Sequence, residues 1–503
     1  MTAICVSLTE TTTEATLARM AALTDVADLF EVRADFVRGL DLAAVLRART
    51  RPLLLTCRPE SEGGRWPDAD GQGRLRLLRN ADELGFDLVD VELRSGFSDL
   101  IASRAGRGLV VSFHDVSGMP EDLSGLYDEM SGLGADVVKI VGTPRTATDV
   151  GRLLALARRR SAVEAHTTNA GAAWRGLVAL AMGPLGVASR VLGGRHGAPF
   201  TYASPVVGRE AAPGQLPAET LASDYRVRSI GPSTRVYGIL GVDVLRSLSP
   251  AIHNRAFAER GLDAVYVPLQ ADSLEAFLAA RADLDLAGFS ITRPWKSDIL
   301  PHLDPACVEP SAARAASVNT VVVRDGQMHG SSTDGEGVLG PLRHHLVISG
   351  RPVAIVGAGG AARAAALALV AAGARVRVLA RRVEQAAAVA TDVGCAHGSL
   401  DTLDDEGWDV LVNATPVGSG AHPGESPVAS SSLRSGAVVF DMVYEPRETP
   451  LLLAARDAGC RTIDGVEMLV SQAVGQFETW TGVPAPVEAM TEAALAAIAE
   501  DRP

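Results

Sequence analysis

The 503-residue chain reads as α/β throughout: an N-terminal (β/α)8 barrel, then a module containing a Rossmann-type nucleotide-binding domain. Three observations predict this. Eight short apolar runs alternate with helical material over residues 3–204. A strand, a glycine turn and an alanine-rich helix follow one another over 351–382. Between the two patterns lies a turn-rich break ending in Gly-Pro-Ser-Thr.

The eight runs are "AICVSL" (3–8), "ADLFEVRAD" (27–35), "PLLLTC" (52–57), "FDLVDVEL" (86–93), "GLVVSFHD" (108–115), "ADVVKI" (135–140), "GLVALAM" (176–182) and "APFTYAS" (198–204). They are apolar on both faces, which suits a parallel sheet covered by helices, and eight units are the count that closes a barrel. A doubly wound open sheet is the competing arrangement of the same pattern.

Barrel enzymes carry their chemistry at the carboxyl ends of the strands. There the sequence places Glu31 and Arg33 (second strand), Arg58 (after the third), Glu92 (fourth), His114 (fifth) and Lys139 (sixth), with Arg190 after the seventh and Gln215 after the eighth. Lys139 is the costliest of these. A buried ammonium needs a counter-charge or loses its proton. A lysine in its neutral form attacks a ketone to give an iminium, and His114 is then the natural proton shuttle. The mundane alternatives are a salt-bridged structural lysine and a satisfied core histidine. Cations gathered beside Glu31 and Glu62 describe a pocket for a small anionic substrate.

Composition narrows the function classes. The chain is 47% hydrophobic and 21% charged, with a net charge of −13, which disfavours nucleic acid and anionic membrane as partners. Five cysteines, at 5, 57, 307, 395 and 460, show neither close pairs nor metal-ligand spacing. We therefore expect no metal and a reducing, cytoplasmic location. The opening "MTAICVSL" lacks a basic segment followed by an apolar core, so no export is expected.

The motifs "EVRAD", "TCRPESEGG" (56–64), "SFHD", "ADVVKI", "MGPLGVASR" (182–190) and "APGQ" (212–215) together resemble type I 3-dehydroquinate dehydratase over residues 1–216. The resemblance implies that the barrel is a TIM barrel, that Lys139 is the Schiff-base lysine and that His114 is the general acid/base. It also implies that Glu62 orients His114, while Glu31, Arg33, Arg58, Arg190 and Gln215 hold the substrate's hydroxyls and carboxylate. One departure stands out: Ala211 occupies a place where the family usually has serine.

Residues 217–234 are expected to be a linker. Beyond it, "RPVAIVGAGGAARAAALALVAAGARVRVLARR" (351–382) supplies glycines for a tight turn and for close approach of a pyrophosphate to a helix N-terminus. The second strand ends in Arg381 and Arg382 with no acid nearby. An acid would hold the ribose hydroxyls of NAD, whereas arginines suit the extra phosphate of NADP. Ahead of this module, "GILGVDVLRSLSPAIHNRAF" (238–257), "GFSITRPWKSD" (288–298), "SVNTVVV" (317–323) and "GSSTDGEG" (330–337) set small hydroxyl and amide side chains around Lys296 and Asp334, a possible proton-transfer pair.

With "NATPVG" (413–418), "FDMVYEPRETPLL" (440–452) and "DGVEMLVSQAVGQFETWTG" (464–482), these motifs resemble shikimate dehydrogenase over 235–500. The resemblance implies a substrate lobe (235–340), a nucleotide lobe (341–470) and a C-terminal segment (471–503) returning to the first lobe. Lys296 and Asp334 would be catalytic, and Ser247, Ser249, Thr292, Asn319 and Gln472 would hold shikimate. Gly357, Gly359, Gly360 and Ala361 would meet the cofactor phosphates and Arg381 and Arg382 the NADP phosphate, with Asn413, Thr415 and Gly465 also on the cofactor. Departures are Ser290 and Ser332 where asparagine is usual, and Arg293 at a typically apolar place. Two expectations compete with 3-dehydroquinate and shikimate as substrates: quinate or aminated analogues, and a non-catalytic metabolite sensor on the same scaffold.

Overall fold

The structure, a computed structural model, describes residues 2–37, 39–164 and 174–499. Its first sheet contains β1 (Ala3–Leu8), β2 (Leu29–Arg33), β3 (Leu53–Thr56), β4 (Leu88–Glu92), β5 (Leu109–Asp115), β6 (Val137–Gly142), β7 (Gly176–Ala181) and β8 (Phe200–Ala203). The order is β7-β6-β5-β4-β3-β2-β1-β8, so consecutive strands are neighbours and the first strand pairs with the last. Each ladder is parallel. The end strands meet through side chains: Val178 and Leu180 of β7 share an inward cluster with Phe200 and Tyr202 of β8, and Trp174 packs edge-on against Phe200 at 5.8 Å. This is the near-closed barrel that the eight apolar runs predict, and the open doubly wound alternative is excluded for this half.

Local chemistry starts the covering helices. Thr12, Asp41, Asp70 and Asp122 each accept a backbone N–H at the helix start, before Thr13–Ala22, Leu42–Arg47, Gly71–Leu84 and Leu123–Gly132. Caps of this kind contribute about 0.5–2 kcal/mol each. The stretch 217–234 is folded against the barrel: it contains the helix Ala218–Ser223, and Arg228 bonds Asp28 Oδ2 at 2.9 Å and the Val26 carbonyl.

Two compact units make up the chain. One runs to Pro250 and takes in Leu262–Ala287; the other comprises Ala251–Gly261 and the chain from Gly288 onward. The first therefore includes, besides the barrel, the parallel pair β9 (Arg235–Gly241) and β10 (Ala264–Gln270) and the helix Leu274–Leu284. That helix lies along the barrel helix Ala147–Glu164, with Arg158 reaching the Ala282 carbonyl and Asp283.

The second unit contains an antiparallel arrangement of β11 (Leu286–Ile291) from Gly288 onward, β12 (Thr320–Arg324) and β13 (Gln327–Ser331). It also contains a parallel sheet of β14 (Pro352–Val356), β15 (Arg375–Ala380), β16 (Ala396–Ser399), β17 (Val410–Asn413), β18 (Val438–Asp441) and β19 (Arg461–Ile463). The order β16-β15-β14-β17-β18-β19 reverses direction at β14, and an open sheet of this kind binds ligands outside the carboxyl ends at that switch point. Ala362, Ala365, Ala366 and Leu369, fully buried, dock the helix Gly360–Ala371 on this sheet; small residues let it lie close.

Candidate active sites

Every residue of β6 is buried, and Lys139 sits in register between Ser112 of β5 and Val178 of β7. Its Nζ is 3.3 Å from Asp90 Oδ2, 3.7 Å from Glu31 Oε1 and 4.1 Å from the centroid of the Tyr202 ring. Two carboxylates and an aromatic face supply the counter-charge that burial demands. Asp90 was not among the residues picked from the sequence. Its signal was present in "FDLVDVEL", where two acids at alternate positions of an apolar strand share one face.

Arg58 ties this floor together, donating to Asp90 (2.6 Å), Glu92 (2.8 Å) and Ser112 (2.8 Å). The other oxygen of Glu92 accepts from Arg74 at 2.8 Å. Burial would push Asp90 up, but Arg58 and Lys139 outweigh it and hold the carboxyl below its usual range; for Glu92 burial wins and the shift is upward. Glu31 accepts from Ser7 (2.6 Å) and Thr56 (2.8 Å), and Gln215 reaches the same Ser7 oxygen at 3.3 Å. Arg33 is held bidentately by Asp35 at 2.8 and 2.7 Å.

Glu31, Arg33, Arg58, Glu62, His114, Lys139, Arg190 and Gln215 all line one cavity of about 250 Å³. This is close to the lower end of the roughly 300–1,000 Å³ usual for small-metabolite pockets. Arg190 differs from the other cations. It is fully buried, donates to the Pro213 carbonyl at 2.9 Å, has no carboxylate partner among the described residues, and its Nε is unbonded. Burial alone lowers its pKa to about 10.

Glu62 Oε2 accepts both the His114 backbone N–H (3.1 Å) and its Nδ1 (3.0 Å). That pins the proton on Nδ1 and leaves Nε2 as a free base. Burial, then the charges of Arg58, Lys139 and Arg33, hold the imidazole well below its ordinary pKa, so it is neutral at physiological pH. Burial raises Glu62 to about 7 from an ordinary 4.5. A folded-state pKa above the unfolded one stabilises the fold below about pH 4.5, and that contribution is lost as pH climbs through 7. Glu62→Gln is therefore expected to be more resistant to urea than the wild type above pH 7, by about 3 kcal/mol at the outside, with the advantage vanishing near pH 4. The same variant loses its grip on His114 and slows proton transfer; unfolding midpoints and rates across pH 4–9 check both.

In the second unit, Lys296 Nζ is 2.9 Å from both oxygens of Asp334. Asp334 opens the helix Asp334–Arg343 and also accepts from Asn319 Nδ2 (2.9 Å) and Gln472 Nε2 (3.2 Å). Asn319 in turn accepts the Thr333 backbone N–H at 2.9 Å, which fixes the turn before that helix. Lys296, Asp334, Asn319 and Gln472 are thus one polar cluster, and Lys296 keeps 30% of its side chain exposed. Thr292 follows β11 directly, its carbonyl accepting the Trp295 N–H. Ser247 and Ser249 lie at the start of the helix Ser249–Glu259, in the other unit, with Ser249 N–H on Ser247 Oγ at 3.2 Å.

The glycine turn fits a dinucleotide. Gly357 has φ +113°, and a Cβ there would stand 3.0 Å from the Ala414 carbonyl oxygen; at Gly359 and Gly360 a Cβ would meet nothing within 4 Å. The turn thus needs glycine at one point and leaves open room beside the helix Gly360–Ala371 at the others, with Ala361 in its first turn. Arg381 and Arg382 are exposed past β15 with no carboxylate partner among the described residues. Asn413 is committed internally, donating to Asp441 and the Val417 carbonyl and accepting from Thr415, so it shapes the turn beside the crevice. Gly465 abuts the backbone of Val443, where a Cβ would be 2.5 Å from the carbonyl oxygen. A cavity of about 1190 Å³ at the amino ends of the same sheet, lined by Arg351, Arg375, Trp408 and Arg461, holds none of the residues picked from the sequence.

Family models match in the same order: "Type I 3-dehydroquinase" over 4–232, "Shikimate dehydrogenase substrate binding domain" over 239–321 and "Shikimate 5'-dehydrogenase C-terminal domain" over 465–495. Fold and sites together define a fused lyase and nucleotide-dependent oxidoreductase. The chain is 37% identical over 492 residues to the bifunctional 3-dehydroquinate dehydratase/shikimate dehydrogenase, chloroplastic, of Arabidopsis thaliana, covering 92% of this chain and 79% of that protein. It belongs to the family of bifunctional 3-dehydroquinate dehydratase/shikimate dehydrogenases. The shikimate biosynthesis protein AroDE of Chlamydia pneumoniae is 30% identical over 464 residues, 90% of each chain. The second half alone is 43% identical to the shikimate dehydrogenase (NADP(+)) of Natronomonas pharaonis, over 51% of this chain and 97% of that protein. A crystal structure of a shikimate dehydrogenase in complex with NADP+ aligns with a TM-score of 0.51 at 34% identity, covering 54% of this chain and 97% of that one.

Proposed function

We propose that this chain carries out two consecutive steps: dehydration of 3-dehydroquinate to 3-dehydroshikimate in the barrel, and reduction of that ketone to shikimate in the second module. The observation that carries the reading is the placement of Lys139 and His114 on one small cavity whose only buried cation without a carboxylate partner, among the described residues lining it, is Arg190.

In the first step Arg190 takes the substrate carboxylate, and the Lys139 nitrogen adds to the ketone carbon. Water leaves, and the nitrogen becomes an iminium. His114 Nε2 removes a proton from the adjacent carbon, and the electron pair moves onto nitrogen as an enamine. The enamine pair then expels the β-hydroxyl, which takes the proton from His114 and departs as a second water. The water released earlier is consumed when the iminium hydrolyses, so the net change is loss of one water. Glu62 holds His114 in the tautomer this requires.

In the second step NADPH, when bound, supplies the hydride. Lys296 donates a proton to the ketone oxygen as charge develops there, Asp334 holds the ammonium in place, and Asn319 and Gln472 fix Asp334. Thr292 is a proposed hydroxyl contact. Gly357, Gly359 and Gly360 admit the pyrophosphate, and Arg381 with Arg382 takes the 2′-phosphate. Among the described residues no helix is long and apolar enough to cross a membrane and no cluster could hold a metal; unpaired thiols favour a reducing cytosol.

The test is to give the full chain 3-dehydroquinate with NADPH and follow nicotinamide absorbance together with shikimate formation. Oxidation of NADPH without shikimate, or activity on quinate alone, overturns the reading. In the same assay Arg381→Ala is expected to raise KM for NADPH about ten- to hundredfold while KM for NADH is unchanged, because only the former loses a charge-assisted pair.

A further inference from the structure

The ring of Tyr202 and its hydroxyl have no role in the scheme above. Tyr202 lies on β8, opposite Cys5 of β1, and is 2% exposed among the inward-facing residues of the barrel. Its ring face is turned to the reacting nitrogen, 4.1 Å from Lys139 Nζ, and the residue lines the same cavity as His114 and Arg190. Its hydroxyl is buried and has no hydrogen-bond partner among the described residues. A phenylalanine would fill this place without an unbonded hydroxyl. Across the same cavity the loop residue Ala211 brings only a methyl group.

We infer that Tyr202 is a catalytic residue of the barrel: its ring stabilises the positive charge on the position-139 nitrogen from ammonium to iminium, and its hydroxyl is a hydrogen-bond donor to the substrate. The ring is suited to the first task because its face is electron-rich and dry. An aromatic face held over a desolvated cation attracts it more strongly than at a wet surface. Asp90 and Glu31 share that charge, but they are also bound to Arg58, Ser7 and Thr56, whereas the ring has Lys139 Nζ over its face at 4.1 Å and its other ring contact is with Phe200, edge-on at 5.4 Å. The hydroxyl suits the second task because a bound polyol acid offers several oxygens and the loop side supplies none through Ala211. The inference rests on the Schiff-base reading of Lys139.

The experiment uses the full chain and two variants, Tyr202→Phe and Tyr202→Leu, with borohydride trapping of the dehydroquinate adduct at Lys139 and steady-state dehydration as readouts. Tyr202→Phe is expected to trap like the wild type but to raise KM for dehydroquinate about tenfold, with kcat little changed. Tyr202→Leu is expected to raise KM similarly and also to lower the trapped fraction about tenfold. Shikimate oxidation by the same preparations should be unchanged, and thermal unfolding reports whether the barrel is intact; Tyr202→Met replaces Tyr202→Leu if it is not. Undiminished trapping in the variant without a ring, or a KM in Tyr202→Phe equal to the wild type, overturns the inference. Failure of the wild-type chain itself to trap an adduct overturns the Schiff-base reading instead.

Discussion

Lys139→Ala is expected to abolish the borohydride-stable adduct and to lower dehydration by about ten-thousand-fold or more, while NADP-dependent oxidation of shikimate by the same protein is retained. The size follows from the proposed role of the side chain as the nucleophile. Removing a covalent nucleophile leaves only binding and orientation to act, and no neighbour in the cavity has an amine to replace it. Arg58 is close to Asp90 but its guanidinium remains protonated at any pH the fold survives. The substitution also strips Asp90 and Glu31 of one of their cations. Breaking a buried pair costs about 3–5 kcal/mol when the remaining charge is left alone. Here Asp90 keeps Arg58 at 2.6 Å, and Glu31 keeps two hydroxyl donors, so the barrel should still fold. The retained shikimate oxidation and an unchanged far-ultraviolet dichroism spectrum separate loss of chemistry from loss of structure. Appreciable dehydration by Lys139→Ala would mean that the lysine serves the core and not the reaction.

The barrel was legible because its signal is redundant. Eight apolar runs set the strand count, and a slip of a residue or two at any one end leaves the count intact; the run 27–35, for instance, narrows to the strand Leu29–Arg33. The lysine was legible for the opposite reason, as a single violation of an otherwise apolar pattern. Asp90 and Tyr202 were harder. An acid in "LVDVE" and a tyrosine in "FTYA" each look ordinary locally, and only the closing of the sheet brings β4 and β8 to the same lysine. Asn413 shows a further limit. A motif names a residue that matters near the crevice, but whether its amide faces a ligand or knots its own turn depends on partners up to 28 positions away, such as Asp441. The division of 235–340 between two compact units is likewise a property of packing that composition does not carry.

In the second module, Lys296→Ala is expected to lower kcat for shikimate oxidation by about a thousandfold with a smaller change in KM, and to leave dehydration untouched. Asp334→Asn should approach the same loss. The carboxylate receives Lys296 on both oxygens at 2.9 Å, and Asn319 and Gln472 converge on Oδ1 at 2.9 and 3.2 Å. An amide in its place turns one of its two oxygens into a donor, which then faces either the ammonium or the two amides. Either choice sets donor against donor, so the lysine swings away from the position the ketone oxygen needs. If the two residues act through one proton at one oxygen, as proposed, their effects should not add: the double variant should be no worse than the poorer single one, within about threefold. Rates at saturating shikimate and NADP for the three proteins measure this. Losses that multiply in the double variant would show that Lys296 and Asp334 serve separate steps, and the proton-transfer pair would have to be abandoned for two independent contacts.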